Sequence, residues 1–231
     1  MISPAIELTS RCNLNCQMCP FRKGGGFKDF GDMDWDLFTK LVDELAPQSE
    51  AIMLFNRGEP FLYKKIYEAI NYAKGKCKII LSTNGVLVDT ELLYKNAGDL
   101  LLVVSCPAGN NKTYKEITGV DCYDKVKGKI IELQDHKPEN VEMYVKLVKQ
   151  PENEGQEESL KEFCDMVIAV EDSNQDRGYT HCTQPDITPI YRYDGKKVVC
   201  CRDVDGTYEY NKYKEQAKNR LLPICRDCGI L

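Results

Sequence analysis

Three cysteines, Cys12, Cys16 and Cys19, fall inside "SRCNLNCQMCP" with the spacing Cys-x3-Cys-x2-Cys. A closed metal site takes four protein ligands, whereas a reactive one keeps a coordination position open. Iron–sulfur clusters are ordinarily held by four thiolates. Three thiolates in so short a loop can wrap three corners of a cubane and leave the fourth iron free for another ligand. Zinc that recruits a distant fourth cysteine is the competing reading, and it would make the chain a non-enzymatic interaction module. A second group, Cys182, Cys200, Cys225 and Cys228, makes a complete four-thiolate set, compatible with a zinc ribbon or a fully ligated iron–sulfur cluster. Cys201 adjoins Cys200 and, on a strand, faces the opposite side, which reads as a buried or neighbouring thiol.

The rest of the composition narrows the setting. Twelve cysteines in 231 residues demand an explanation, but they cluster at the two ends, unlike the disulfide framework of a small secreted domain. Cys77, Cys122 and Cys164 lie in apolar surroundings and read as packing residues. The chain opens with Ile2 and Pro4 rather than a basic segment followed by an apolar one, so no secretory signal is expected. No apolar run is long enough to span a bilayer. The expected location is a reducing cytoplasm. A net charge of −5 leaves no cationic footprint for duplex nucleic acid.

Short apolar runs supply the strands that position the first cysteine loop. "AIELTS" from Ala5, "AIMLF" from Ala51, "CKIILS" from Cys77, "LLLVVS" from Leu100, "VEMYVKLV" from Val141 and "MVIAV" from Met166 read as six strands. Several are apolar on consecutive positions, as parallel strands covered on both faces require. Amphipathic stretches alternate with them. "DWDLFTKLVDELA" has Asp34 as its N-cap and sets Leu37, Leu41 and Leu45 on one face. Two further helices are expected to stop at Gly75 and Gly98, and another follows Gly155. This α/β pattern predicts a partial (βα)6 TIM-like barrel over 1–172, too short for the eight-stranded closed barrel. Its chemistry should sit at the C-terminal ends of the strands, where Cys12 falls. Over 173–231, "PIYRYDGKKVVCC" reads as a β-hairpin about Asp194-Gly195, and "NKYKEQAKNRLLP" as a short helix.

"CNLNCQMC" resembles the CxxxCxxC loop of the radical S-adenosylmethionine (SAM) enzymes, placed after a first strand as in that superfamily. "NRGEP", Asn56 to Pro60, resembles the family's GGEP motif with Arg57 in place of the first glycine. "STNG" follows strand three and "VSCPAG" strand four. The resemblance covers roughly Ala5 to Glu171. It implies a SAM-binding 4Fe–4S cluster on Cys12, Cys16 and Cys19, with SAM contacted by Met18, Gly58, Glu59, Ser82, Asn84 and Ser105. Cys106 and Pro107 stand where relatives often carry an aspartate and glycine; Cys106, following Ser105 at the active mouth, is the one candidate for a catalytic side chain, against the competing reading of a small strand-end packing residue.

The C-terminal segment resembles the auxiliary-cluster domains called SPASM and, in shorter form, Twitch. "GKKVVC", Gly195 to Cys200, matches their Gly-x4-Cys element. With the chain ending just past Cys228, one auxiliary 4Fe–4S cluster is expected, on Cys182, Cys200, Cys225 and Cys228. His181 borders that set, and His136 is expected to be solvated. The resemblance implies reductive cleavage of SAM to a 5′-deoxyadenosyl radical, fed by a low-potential donor such as flavodoxin or ferredoxin. Hydrogen abstraction from a small molecule, with the auxiliary cluster accepting the remaining electron, would be a net dehydrogenation. Twitch-bearing relatives include one that oxidises an aminocyclitol alcohol. Modification of a ribosomally made peptide is the alternative, although a first strand at residue 5 is expected to leave no room for a leader-binding domain.

Overall fold

The computed structural model describes residues 2–19, 21, 30–170, 187–200, 203 and 208–217. Cys182, Cys201, Cys225, Cys228 and His181 lie outside them. Among the described residues, five βα units and a sixth strand run in order: β1 (Ala5–Ile6), α1 (Trp35–Leu45), β2 (Ala51–Met53), α2 (Ile66–Ala73), β3 (Lys78–Thr83), α3 (Thr90–Asn96), β4 (Leu100–Ser105), α4 (Asn111–Thr118), α5 (Tyr123–Asp135), β5 (Val141–Val148), α6 (Glu157–Lys161) and β6 (Val167–Val170). The hairpin β7 (Ile190–Tyr191) and β8 (Lys197–Val198) and the helix α7 (Tyr210–Ala217) follow.

All eight strands join one sheet in the order β6-β5-β4-β3-β2-β1-β7-β8. Strands β1 to β6 pair in parallel, as expected of a partial TIM-like barrel. β7 adds to the free edge of β1, also in parallel, with Ala5 opposite Ile190, and β8 closes antiparallel on β7. Gly195 sits in the hairpin turn at φ +81°, a conformation open to glycine at little cost. The segment read as a separate hairpin therefore extends the main sheet.

Pattern and packing agree where the strands are long. Ile79, Leu81, Leu102, Val104, Val145 and Leu147 are buried on the face that the helices cover. α1 begins as expected, with Asp34 accepting from the backbone N–H groups of Asp36 (2.9 Å) and Leu37 (3.1 Å), and its buried stripe is Phe38, Leu41, Val42 and Leu45. Leu37 is only partly buried and packs at the rim of the core. α2 stops before Gly75, at φ +77°, as its sequence implies. α3 differs: it stops at Asn96 because Ala97 already turns extended, so Gly98 caps nothing. β1 is also shorter than "AIELTS" suggests. After Ile6 the chain leaves the sheet ladder, and Leu8 and Thr9 bond instead to Met33 and Asp32.

Candidate functional site

The loop after β1 is fastened from three sides. Below it, Thr9 donates its hydroxyl to Asp32 (2.7 Å), and Ser10 and Gly31 exchange hydrogen bonds. On one flank it rests on the end of α4. Asn15 N–H donates to Thr118 O (3.1 Å), Gln17 N–H to Ile117 O (2.8 Å) and Gln17 Nε2 to Glu116 O (2.9 Å). Those carbonyls belong to the last turn of α4, where a helix has no internal donors left. Gly119, left-handed at φ +73°, ends the helix and lets the loop approach.

On the other flank, Glu59 N–H donates to Arg11 O at 2.7 Å. A Cβ on Gly58 would run into Thr9 O and come within 2.6 Å of Arg11 O. Only glycine permits that backbone contact, which is the physical content of the Gly-Glu-Pro tripeptide here.

Cys12, Cys16 and Cys19 line one cavity of about 420 Å³, together with Ser10, Arg11, Asn13, Leu14, Phe21, Phe30, Arg57 and Leu62. Among these described lining residues, no histidine, carboxylate or further cysteine joins the three thiols. The donor set and the volume suit an iron–sulfur cluster with a small organic ligand on its open corner. Burial raises the Cys12 thiol and pushes Cys16 up to about 12, with the neighbouring cysteines adding to it. Burial thus disfavours the thiolate at Cys12 and Cys16, whose protons a metal must displace on binding.

Behind the cavity lie two buried acids. Glu59 Oε1 accepts from Phe61 N–H (3.2 Å) and the Thr83 hydroxyl (2.7 Å), and Oε2 accepts from Asn84 N–H (2.7 Å). No cation faces it among these contacts, and burial pushes its carboxyl up to about 7. Asn84 continues the chain of contacts: its Nδ2 donates to Asn13 Oδ1 at 2.8 Å and lies 4.0 Å from Cys12 Sγ. Glu7 is the second acid. It takes Arg57 Nε (2.6 Å) and Nη2 (2.5 Å) away from water, and Asn56 Nδ2 (2.7 Å) at a partly buried contact.

The structure thus brings Cys12, Cys16, Cys19, Gly58, Glu59 and Asn84 together. Met18 is half-buried in the same loop but is not among the cavity's lining residues. Ser82 and Ser105 stand on the sheet face away from the helices. Cys106 corrects an expectation. It is fully buried in the core, its thiol donates to Ala108 O at 3.4 Å, and burial pushes it up to about 12. A thiol so placed packs and does not react. Cys200 is half-buried just past β8, and its three proposed partners lie outside the described residues. His136 is exposed, as expected. The Glu7–Arg57 pair is absent from the sequence reading. An acid inside the otherwise apolar "AIELTS" was the available signal.

Comparison with known proteins follows the same lines. The family model described as the radical SAM superfamily matches residues 6–163. The tungsten-containing aldehyde ferredoxin oxidoreductase cofactor-modifying protein of Pyrococcus furiosus is 37% identical over 91 residues, covering 38% of this chain and 25% of that protein. The AdoMet-dependent heme synthase of Methanosarcina barkeri is 31% identical over 121 residues, 50% of this chain and 34% of its own length. The chain thus spans about a quarter to a third of these curated relatives. Among solved structures, BtrN in complex with AdoMet and 2-DOIA superposes with a TM-score of 0.61 at 15% identity, over 99% of this chain and 93% of that one. Streptococcus suis SuiB bound to S-adenosylmethionine gives 0.62 at 18% identity, over 77% and 42%. Likeness at such identities shows a shared fold. No helix among the described residues is long and apolar enough to cross a membrane.

Proposed function

We propose, from the premise that this chain belongs to the radical SAM superfamily, that Cys12, Cys16 and Cys19 hold its 4Fe–4S cluster and that SAM binds the open corner. The observation that carries this assignment is the cavity itself: three thiols in its wall and, among the described lining residues, no fourth ligating side chain. When bound, the cluster and SAM supply a primary-carbon radical able to take a hydrogen atom from substrate. The protein's own part is to bind, orient and keep out competing hydrogen donors. Gly58 gives the backbone approach, and Asn84 links Cys12 to Glu59. Met18, Ser82 and Ser105 complete the proposed SAM surroundings.

The finer reading is a net dehydrogenation of a small molecule by residues 1–172, with a second 4Fe–4S cluster on Cys182, Cys200, Cys225 and Cys228 of 173–231 taking the leftover electron. The hairpin supports it: β7 joins the strand that leads into Cys12, so Cys200 hangs on an element tied to the first cluster's own support. A flavodoxin or ferredoxin would deliver the initiating electron, in a cytoplasmic setting. Modification of a peptide is the second reading, favoured by the fold shared with SuiB, which was solved bound to the precursor peptide SuiA.

Anaerobic reconstitution tests both levels. The protein should take up about eight irons and eight sulfides per chain, two 4Fe–4S clusters, and form 5′-deoxyadenosine from SAM and dithionite. Cys200→Ala should lower the count to about four while leaving 5′-deoxyadenosine formation in place. A colourless, zinc-loaded protein that leaves SAM intact would refute the enzyme reading.

A further inference from the structure

We propose that Lys146 anchors an anionic group, a carboxylate or a phosphate monoester, of a small substrate on the inner face of the sheet beside Ser105. The inference deepens the enzyme reading above and rests on it for there being a substrate at this face.

β5 alternates cleanly. Val141, Val145 and Leu147 lie in the core under the helices, so Glu142, Tyr144, Lys146 and Val148 face the other way. Parallel register sets Lys146 between Ser105 of β4 and Ile168 of β6. One step along, Ser82 sits opposite Val103, and Val103 opposite Tyr144, on the same face. The C-terminal ends of β4 and β5 therefore set a hydroxyl and an amine side by side, with the Ser82 hydroxyl of β3 in the next row back on the same face. That end of the sheet carries the cysteine loop and is where ligands gather in this architecture.

The amine is the anomaly. A lysine within a strand is ordinarily paired or snorkels to water. Glu142, on the same face four residues earlier, is taken by Lys78 at 2.7 Å. Among the described residues nothing accepts a hydrogen bond from Lys146 Nζ, and its ammonium is held below the usual lysine range by burial alone. The hydroxyls of Ser82 and Ser105 make no hydrogen bond among those residues either. Gln150, two residues past the end of β5, keeps its Nε2 buried without an acceptor.

These groups are rich in donors and poor in acceptors. The chemistry that satisfies such a set is an oxyanion, which would also favour the lysine's charged form. An anchored anion would fix the substrate's orientation, the largest contribution a protein can make to hydrogen abstraction.

Competitive acetylation of the cluster-replete, full-length protein with acetic anhydride, mapped by mass spectrometry, reads the amine directly. With SAM present, malonate or inorganic phosphate at about ten times its Kd should slow acetylation of Lys146 about tenfold by mass action, leaving exposed Lys112 unchanged. The more protective of the two names the oxyanion. Full protection by SAM alone would assign the amine to the cofactor's carboxylate and overturn the proposal. So would labelling that neither anion alters. The measurement needs no SAM cleavage, so its failure is distinct from a failure to form 5′-deoxyadenosine.

Discussion

Glu7 and Glu59 are removed from water to nearly the same degree, at 0% and 2% exposure, and flank the same Arg57–Gly58 step. Their surroundings differ in kind. Glu7 meets a guanidinium through two short contacts and an amide through a third, so charge is cancelled where it is buried. Glu59 meets only neutral N–H and O–H donors. The first arrangement locks β1 to the loop after β2 and approaches the hairpin, with Tyr193 N–H 3.5 Å from Glu7. The second leaves a proton-sensitive group directly behind the asparagine that reaches Cys12. One wall of the cavity is therefore built for rigidity and the other can answer to pH.

The sharpest way to break this contrast is Arg57→Ala. It strands the Glu7 carboxylate in the interior, and loss of one partner from a buried pair costs about 3–5 kcal/mol. Urea unfolding should show a loss of that order, and a change below about 1 kcal/mol would mean that water reaches Glu7 and that the pair is not structural. The next effect is smaller and depends on pH. Glu59 holds its proton more tightly folded, near 7, than in an unfolded chain, where a carboxyl loses it near 4.5. Its stabilising contribution is thus complete below the unfolded value and drains away as pH rises through the folded one. Stability should fall by about 2 kcal/mol between about pH 5.5 and about pH 8, and Glu59→Gln should flatten that profile. An unchanged slope in the variant would place the titration elsewhere. The least effect belongs to Arg11 and Asp32, an exposed ion pair at the rim of the same cavity. Arg11→Ala should shift the unfolding midpoint by less than about 1 kcal/mol, and a larger loss would show that the rim shares the rigidity of the Glu7 wall.

What was legible in the sequence follows from range. Strands β3, β4 and β5 stand where their apolar runs lie, because the face packed under the helices writes itself into the sequence at alternate positions. The Asp34 cap and the turn at Gly195 are local chemistry, and both are found as expected. The cysteine loop was legible as spacing, and the three cysteines line one cavity. Pairings across long separations were not legible. Nothing in "AIELTS" says that the chain quits the ladder after Ile6, because that depends on hydrogen bonds to Met33 and Asp32. Nothing near Arg57 says that its partner is Glu7, fifty residues away. Nothing in "VEMYVKLV" says that Lys146 goes unpaired among the described residues, because only the assembled sheet shows its neighbours.

The pairing of Ala5 with Ile190 has a consequence for biosynthesis. The strand leading into the cysteine loop is made about 185 residues before the strand that pairs with its second edge. At ~5–20 residues per second that delay is about 10 to 40 seconds. During it, β1 presents a bare edge, and the thiols next to it stand on an unfinished support. The support of the cysteine loop is thus complete only once the hairpin strand has been made.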